Sequence, residues 1–531
     1  MKRWRHHWPV LALVLVLLFV TAVRWRVRAM PLERDEGEYA YAGQLMLDGI
    51  PPYRWLYNFK MPGIYAAYAL IMAVFGQTPS GIHVGFLLAN LAAIVLTYRL
   101  SRRFLDPPAA AAAAATYALL SLSQGVVGMA AHATHLVVLA ALGGLILLLR
   151  GQERGRLGTF FWSGALCGVA FLMKQPGGAF AFLGLSVLAW AAWRERPVSW
   201  GKHGGRMAAF ATGALAPVLL TFWLLWRAGV WAKFWFWTVT YARVHATLAP
   251  WSFGRERLAV FFGGLGWDAV FWVWAALGLG CVLAAKKGDK RFFPVALLAF
   301  SVAAVCPTFH FYPHYFVLLL PAIALLTGEA LAAAAERKAP WIFFAACWVF
   351  LVAIHREAFF KWKPDQVSGF TYWRNAFQVY PPIGEYLKTN TPAGATLAVL
   401  GSEPELLFYA HRRSVTGYIY MYDVVEDQPL REQMEREMIG EVERGRPDFV
   451  IFVNSGLSWI PSRSEDFEAI KQWMEQYTDK FYEPYGLATF PPYTIYWGKG
   501  SFQRVPSAQR FVWIFKRKGN DNPALRGGHN S

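Results

Sequence analysis

Eleven apolar runs, each close to the ~20 residues that a helix needs to cross a bilayer, constrain this chain more than any other feature. They fall at 8–26, 81–100, 109–128, 132–149, 158–174, 177–193, 207–228, 258–284, 292–309, 312–335 and 339–356. In lipid every backbone N–H and C=O must be satisfied within the chain, so runs of this length read as spanning helices. The composition agrees. Of 531 residues, 56% are hydrophobic and 16% charged, too few charges to cover a water-soluble surface of that size.

A net charge of +18 raises the question of nucleic acid. The basic residues, however, fall in short clusters between apolar runs: Arg99, Arg102 and Arg103; Arg150, Arg154 and Arg156; Arg194, Arg196, Lys202 and Arg206; Lys286, Lys287, Lys290 and Arg291; Arg337 and Lys338. The alternate short loops are nearly free of them; 128–132 and 310–312 have none. That alternation is the positive-inside pattern of a membrane protein with a cytoplasmic N-terminus, and it excludes nucleic acid as the partner. Lys2, Arg3 and Arg5 before the first run, with no small-x-small cleavage site after it, predict an uncleaved anchor. Parity puts the C-terminus outside. The absence of a β-barrel pattern points to a bacterial inner membrane. Cys167, Cys281, Cys306 and Cys347 lie in or beside apolar runs without metal-ligand spacing and read as packing residues.

Three regions follow: membrane helices over 1–360, an external α/β unit over 361–518 and a polar tail over 519–531. The α/β reading rests on short apolar runs at Thr396–Leu400 and Phe449–Val453, expected as strands, and amphipathic stretches at Gln428–Arg444 and Glu465–Tyr477, expected as helices.

Two external segments, 27–80 and 229–257, carry basic residues where topology does not call for them. In the first, Glu33-Arg34-Asp35-Glu36-Gly37-Glu38-Tyr39 follows the first run directly. A helix beginning at Asp35 puts Glu38 and Tyr39 one turn on, on the same face. Acids also favour a helix start, so a solvated N-terminus is the alternative. Downstream, Tyr53 to Pro62 carries Lys60 ahead of an apolar stretch, 63–76, too short to span and expected at the interface. Acids and a lysine at a water–lipid boundary suit transfer of a polar group from a lipid phosphate. The amine neutralises the leaving phosphate and a carboxylate takes a proton. That chemistry requires residues 35 and 60 to face one chamber.

Arg34-Asp35-Glu36-x-x-Tyr39 and Tyr57-x-x-Lys60-x-Pro62 resemble the bacterial glycosyltransferase 39 family, which includes protein O-mannosyltransferase-like and aminoarabinose transferase-like enzymes of the GT-C fold. Gly168 to Gln175 is similar to its Gly-x-x-x-x-x-Lys-Gln helix end, and His310 to Tyr315 to its late His-Tyr helix start. Ile383–Asn390, Gly401–Tyr409 and Asp448–Asn454 resemble the external α/β domain of many members. The resemblance implies a GT-C-like polytopic helical protein and a polyprenyl-phosphate sugar donor. It further implies an external hydroxyl acceptor on lipid, glycan or protein, and inversion at the sugar carbon. It assigns Asp35 as base, Lys60 on the donor phosphate, and Tyr39 and Tyr57 nearby; in the transfer chemistry above, Glu36 or Glu38 would orient the sugar.

The chain departs from the family at Phe59, where members often carry an acid, and at His132 and His135, where they often carry another. Both changes weaken a divalent metal site, although a histidine pair could ligate one, so metal use stays open. Lys174 is either a snorkelling lysine or a second phosphate contact. His310 and His314 either bind substrate or satisfy local backbone. Arg243, Arg255 and Arg257, beyond the aromatic run Trp231–Tyr241, are candidates for phosphate contacts. A transporter or flippase of lipid-linked sugars and a non-catalytic sugar-binding subunit are the competing readings. The first predicts ionisable residues at mid-membrane, where only Asp268, at the edge of the eighth run, approaches that role.

Overall fold

The computed structural model describes residues 4–195, 199–285, 291–372, 377–460, 464–491, 493–498, 500–504 and 510–519. Lys2, Arg3, Arg196, Lys286, Lys287, Lys290 and the tail beyond Gly519 lie outside them.

The first half is helical: α1 Trp4–Arg26, α2 Arg34–Leu47, α3 Pro62–Phe75, α4 Pro79–Ser101, α5 Pro107–Leu120, α6 Ala133–Arg154, α7 Leu157–Met173, α8 Gly178–Arg194 and α9 Trp200–Arg227. There follow α10 Trp231–Trp235, a π-helical turn to Tyr241, α11 Ala242–Leu248, α12 Trp251–Gly264, α13 Ala269–Ala284, α14 Phe292–Val305, α15 Leu320–Ala333 and α16 Lys338–Ile354. Each expected spanning run contains one of these helices. Among the described residues, seven helices are long and apolar enough to cross a membrane; α5, α7, α14 and α16 are apolar but shorter. The chain is a multi-pass membrane protein.

Two runs are shorter than their hydropathy suggests. The run 109–128 is helical only to Leu120, because the buried Arg24 guanidinium takes the carbonyls of Ser121, Gly128 and Met129 as acceptors and so satisfies an unwound segment. The run 258–284 breaks between α12 and α13 at Gly263-Gly264-Leu265-Gly266, where Gly266 has φ +53°. Beyond the break Asp268 binds Ser123 Oγ and His355 Nε2, the latter at 3.0 Å. This acid therefore ties helix ends together.

After α17 Pro364–Thr371 and α18 Tyr380–Asn390 the chain enters a mixed six-stranded sheet of order β2-β1-β3-β6-β4-β5. β1 (Thr396–Leu400), β2 (Arg413–Ser414) and β3 (Phe449–Asn454) are parallel; β4 (Tyr482–Thr489), β5 (Thr494–Trp497) and β6 (Phe511–Arg517) pair antiparallel. β1 and β3 are apolar on both faces, from Leu397 to Leu400 and from Phe449 to Val453, because helices cover both faces. Those helices include α19 Pro404–Ala410, α20 Tyr422–Val425, α21 Arg431–Gly445, α22 Gly456–Trp459 and α23 Ser464–Phe481.

The sheet unit docks on α2 at very short range. A Cβ on Gly37 would lie 2.6 Å from Glu405 Cβ of α19, so α2 and α19 meet backbone to backbone. Arg34 Nη2 pairs with Glu403 Oε1 at 3.0 Å, and Tyr57 Oη donates to Glu441 Oε1 of α21 at 3.0 Å.

Candidate active site

A reciprocal capping box starts α2. Glu36 N donates to Glu33 Oε1 and Glu33 N to Glu36 Oε2, both at 3.0 Å. With α2 beginning there, the helical period places Asp35 and Glu38 on one face and Glu36 on another. The opposite wall is the loop that ends in Lys60. Tyr53, in the left-handed region at φ 67°, folds it back and donates from Oη to the Lys60 carbonyl at 2.6 Å. Pro62 then opens α3 at a position where its missing N–H costs nothing.

These two elements bring Lys60 Nζ to 2.6 Å from Asp35 Oδ1 and 2.6 Å from Glu38 Oε2. Residues 35 and 60 are thus in direct contact. Tyr39 lies beneath the ammonium, its ring centroid 4.8 Å from Nζ. Glu38 is fully buried and also accepts from Tyr65 Oη at 2.5 Å and Asn58 Nδ2 at 3.2 Å. It holds Lys60 from behind, whereas Asp35 keeps some exposure.

Glu36 faces away from the chamber. Its oxygens accept from Ala131 N at 2.5 Å, His83 Nε2 at 3.1 Å, Glu33 N at 3.0 Å and Tyr372 Oη at 3.3 Å, and it is fully buried. It fixes the start of α2 against the segment leading into α6, and that segment carries His132.

His132 Nδ1 lies 3.8 Å from Asp35 Oδ2, and its ring stacks on His314 at 4.1 Å between centroids. His314 Nε2 is 4.0 Å from Asp35 Oδ2 and 3.3 Å from Lys174 Nζ. Lys174, just beyond α7, also rests over Tyr315 at 4.0 Å. Gln175 Nε2 donates to the Phe59 carbonyl, tying this helix end to the Lys60 loop. His310 and His314 do not form a helical pair, since Phe309 and Phe311 have φ of 52° and 44°. His310 instead stacks on His245 at 4.9 Å, and Phe59 covers the other side of His245 at 4.8 Å. His135 points into the protein, its ring nitrogens buried without a partner among the described residues.

Tyr57 and Arg243 are not brought to the Asp35–Lys60 pair. Tyr57 is buried against Trp237 and α21, and Arg243 is exposed on α11. Arg255 and Arg257 are exposed on α12. Two contributors gave no signal in the sequence. Tyr420 of the sheet unit lies with Oη 3.5 Å from Asp35 Oδ1, and Asp423 accepts from Tyr241 Oη at 2.7 Å. Tyr420 sits in the loop before α20 and Asp423 on α20 itself, hundreds of residues from α2.

Charge in the chamber is set by burial against close cations. Burial pushes the Asp35 carboxyl up, but Lys60, His132 and Lys174 outweigh it and hold it at about 2. Burial opposes the Lys60 ammonium, yet Asp35 and Glu38 raise it overall. Lys174, without a direct acid partner among the described residues, is brought down by burial to about 7. His132 is pushed by burial to about 4.

Asp35, His132 and His314 offer ligand atoms within 4.8 Å of one another, a zinc-like donor set. Lysine amines flank it, Lys60 at 2.6 Å from Asp35 Oδ1 and Lys174 at 3.3 Å from His314, while both histidines face Asp35 Oδ2.

Residues 60–226 match the dolichyl-phosphate-mannose-protein mannosyltransferase family. The chain is 30% identical over 353 residues to an undecaprenyl phosphate-alpha-4-amino-4-deoxy-L-arabinose arabinosyl transferase of Pseudomonas paraeruginosa, covering 62% of this chain and 60% of that one. It is 29% identical over 352 residues to the enzyme of the same description from Pseudomonas aeruginosa strain UCBPP-PA14, again covering 62% and 60%. The crystal structure of ArnT from Cupriavidus metallidurans bound to undecaprenyl phosphate superimposes with a TM-score of 0.60 at 16% identity, over 96% of this chain and 98% of that one. The chain has the GT-C fold. An Archaeoglobus fulgidus oligosaccharyltransferase shares the GT-C fold with a TM-score of 0.51 at 12% identity, over 95% of this chain and 76% of that one. The GT-C chain spans 60% of the length of the curated arabinosyl transferases it matches.

Proposed function

We infer that this chain transfers a sugar from a polyprenyl-phosphate carrier to a hydroxyl on an external lipid, glycan or protein, with inversion. The observation that carries the reading is the Asp35–Lys60–Glu38 triad, one carboxylate partly open and one closed around a single ammonium. The relatives' names, which specify undecaprenyl phosphate as the carrier, support the donor class. In this reading 1–360 is the membrane unit and 361–518 an external unit, in a bacterial inner membrane with the N-terminus cytoplasmic.

The acceptor hydroxyl attacks the anomeric carbon opposite the phosphate. Its oxygen–carbon bond forms as the carbon–oxygen bond to phosphate breaks, and its proton passes to Asp35. Polyprenyl phosphate leaves as the anion, neutralised by Lys60 and Lys174. The leaving group is already activated, so positioning and charge neutralisation supply most of the acceleration. A carboxylate held near 2 by an ion pair is a weak base. The entering phosphate competes for Lys60, and as the amine turns to it, Asp35 gains basicity where the proton is released. Glu38 keeps its own hold on the amine throughout.

The test uses purified protein and undecaprenyl-phosphate-linked sugars, with product detected by mass spectrometry. Asp35→Asn is expected to lose at least a hundredfold in transfer, within the ~10²–10⁴-fold range of general-base catalysis, while retaining undecaprenyl phosphate. Lys60→Met is expected to lose both. Undiminished transfer by Asp35→Asn would remove Asp35 from the base role.

A further inference from the structure

The external sheet unit reaches into the chamber through the loop between β2 and α21. At the C-terminal end of β1, Arg34 Nε donates to the Ser402 carbonyl at 2.9 Å and Arg34 Nη2 to Glu403 at 3.0 Å. Ser402 Oγ in turn accepts from Met421 N at 2.9 Å. Tyr422 stacks on Tyr420 at 5.7 Å and donates to the Leu457 carbonyl at 3.0 Å. These bonds fix Tyr420, which is buried. Its hydroxyl donates to the Arg34 carbonyl at 3.0 Å and lies 3.5 Å from Asp35 Oδ1, the oxygen that Lys60 holds. Its ring centroid is 5.5 Å from Lys60 Nζ.

We propose that Tyr420 is a positioning residue for Asp35, its hydroxyl taking over the carboxylate oxygen that Lys60 gives up. The catalytic part of this inference rests on the transfer reading above; the hydrogen bond itself does not. With Lys60 turned to phosphate, an unsupported Asp35 side chain would be free to change rotamer. The nearest described donor on the sheet-unit side is the Tyr420 hydroxyl, which needs only to rotate from the Arg34 carbonyl toward Oδ1. The external unit then completes the base, and the membrane helices alone lack this support.

Lys60→Met reproduces the released state without any ligand. In that background Asp35 is titrated by carbodiimide and glycine ethyl ester labelling, which reports the protonated carboxyl, and is read by peptide mass spectrometry. A donor to the charged form lowers a carboxyl pKa, so adding Tyr420→Phe is expected to move the labelling midpoint up by about one pH unit. An unchanged midpoint overturns the proposal. Tyr422→Phe in the same background removes a hydroxyl from the same loop without touching Asp35. If it shifts the midpoint equally, loop packing is responsible and the proposal fails.

With Lys60 intact, Tyr420→Phe is expected to lower kcat for transfer from an undecaprenyl-phosphate-linked sugar about tenfold, in line with loss of one charge-assisted hydrogen bond. Donor KM should hold and the acid limb of the pH–rate profile should move to higher pH. An unchanged kcat and limb count against it. Absence of transfer by the unaltered protein with every donor tried weighs against the transfer reading alone, and the titration still decides Tyr420.

Discussion

Lys174 is the residue whose charge is most finely balanced. Burial brings its ammonium down to about 7, helped by Lys60 and opposed by Asp35 and Glu33. It is therefore charged below pH 7 and increasingly neutral above it. In the proposed reading its hold on phosphate fades over that range. The lipid phosphate gains its second charge near pH 6, which works the other way, so wild-type binding alone does not separate the two. Lys174→Arg does, because a guanidinium stays charged throughout. The ratio of undecaprenyl phosphate affinities, Lys174→Arg over wild type, should rise roughly tenfold from pH 6 to pH 9, about one lost charged hydrogen bond. Native mass spectrometry or a fluorescence titration would measure it, and a flat ratio would mean that Lys174 keeps its charge or does not touch phosphate. What made Asp35 and Lys60 legible from sequence is locality. They stand 25 positions apart, each at the start of a helix, and helix period alone aims Asp35 and Glu38 together. Tyr420 was not legible, because its place depends on the docking of a separate sheet and no local pattern encodes that.

At the scale of elements, glycine spacing governs how the helix that leads to Lys174 is seated. A Cβ on Gly164 would fall 1.9 Å from the Phe210 carbonyl oxygen, one on Gly168 2.2 Å from that of Ala214, and one on Gly213 2.0 Å from that of Phe161. Helices α7 and α9 therefore pack backbone to backbone, as small residues permit in membranes. Gly168→Leu should push them apart and carry Lys174 and Gln175 with α7. A thermal unfolding scan in detergent is expected to show a loss of at least ~1–3 kcal/mol, the usual cost of overpacking. Gly158, on the same helix with open space around it, provides the control, and Gly158→Leu should unfold at the wild-type temperature. Equal behaviour of the two variants would show that α7 and α9 are not seated this closely. Elements with a continuous apolar signal, the helices and β1 and β3, could be read in advance. The break at Leu120 could not, because it depends on Arg24 meeting distant carbonyls, and the one at Gly264 has only three glycines inside a continuous apolar run to mark it. The antiparallel strands β4 to β6 escaped for another reason: their faces alternate irregularly, and Pro484 and Gly486 mark a bulge.

For the molecule as a whole, topology is the most consequential expectation. Between Glu153 at the end of α6 and Glu432 in α21 lie α7, α8, α9, the broken pair α12–α13, α14, α15 and α16. If each crosses once, the count is odd and the two glutamates face opposite sides of the bilayer. The short members are the weak point. α7, with 17 residues, rises only ~26 Å against a hydrocarbon core of ~30 Å. Basic clusters flank it on the side of Arg154 and Arg156 and are scarce on the side of Lys174, which favours a true crossing with slight bilayer thinning. Both glutamate side chains are well exposed, 60% for Glu153 and 72% for Glu432, so a probe can reach them. With the four cysteines replaced by alanine, a membrane-impermeant maleimide added to intact spheroplasts should label Glu432→Cys and leave Glu153→Cys unlabelled until the cells are opened. Labelling of both in intact cells, or of neither, would mean that one short helix re-enters without crossing. Labelling of neither would also place Asp35 and Lys60, which lie against the sheet unit that carries Glu432, on the side where lipid-linked donors and acceptors do not meet.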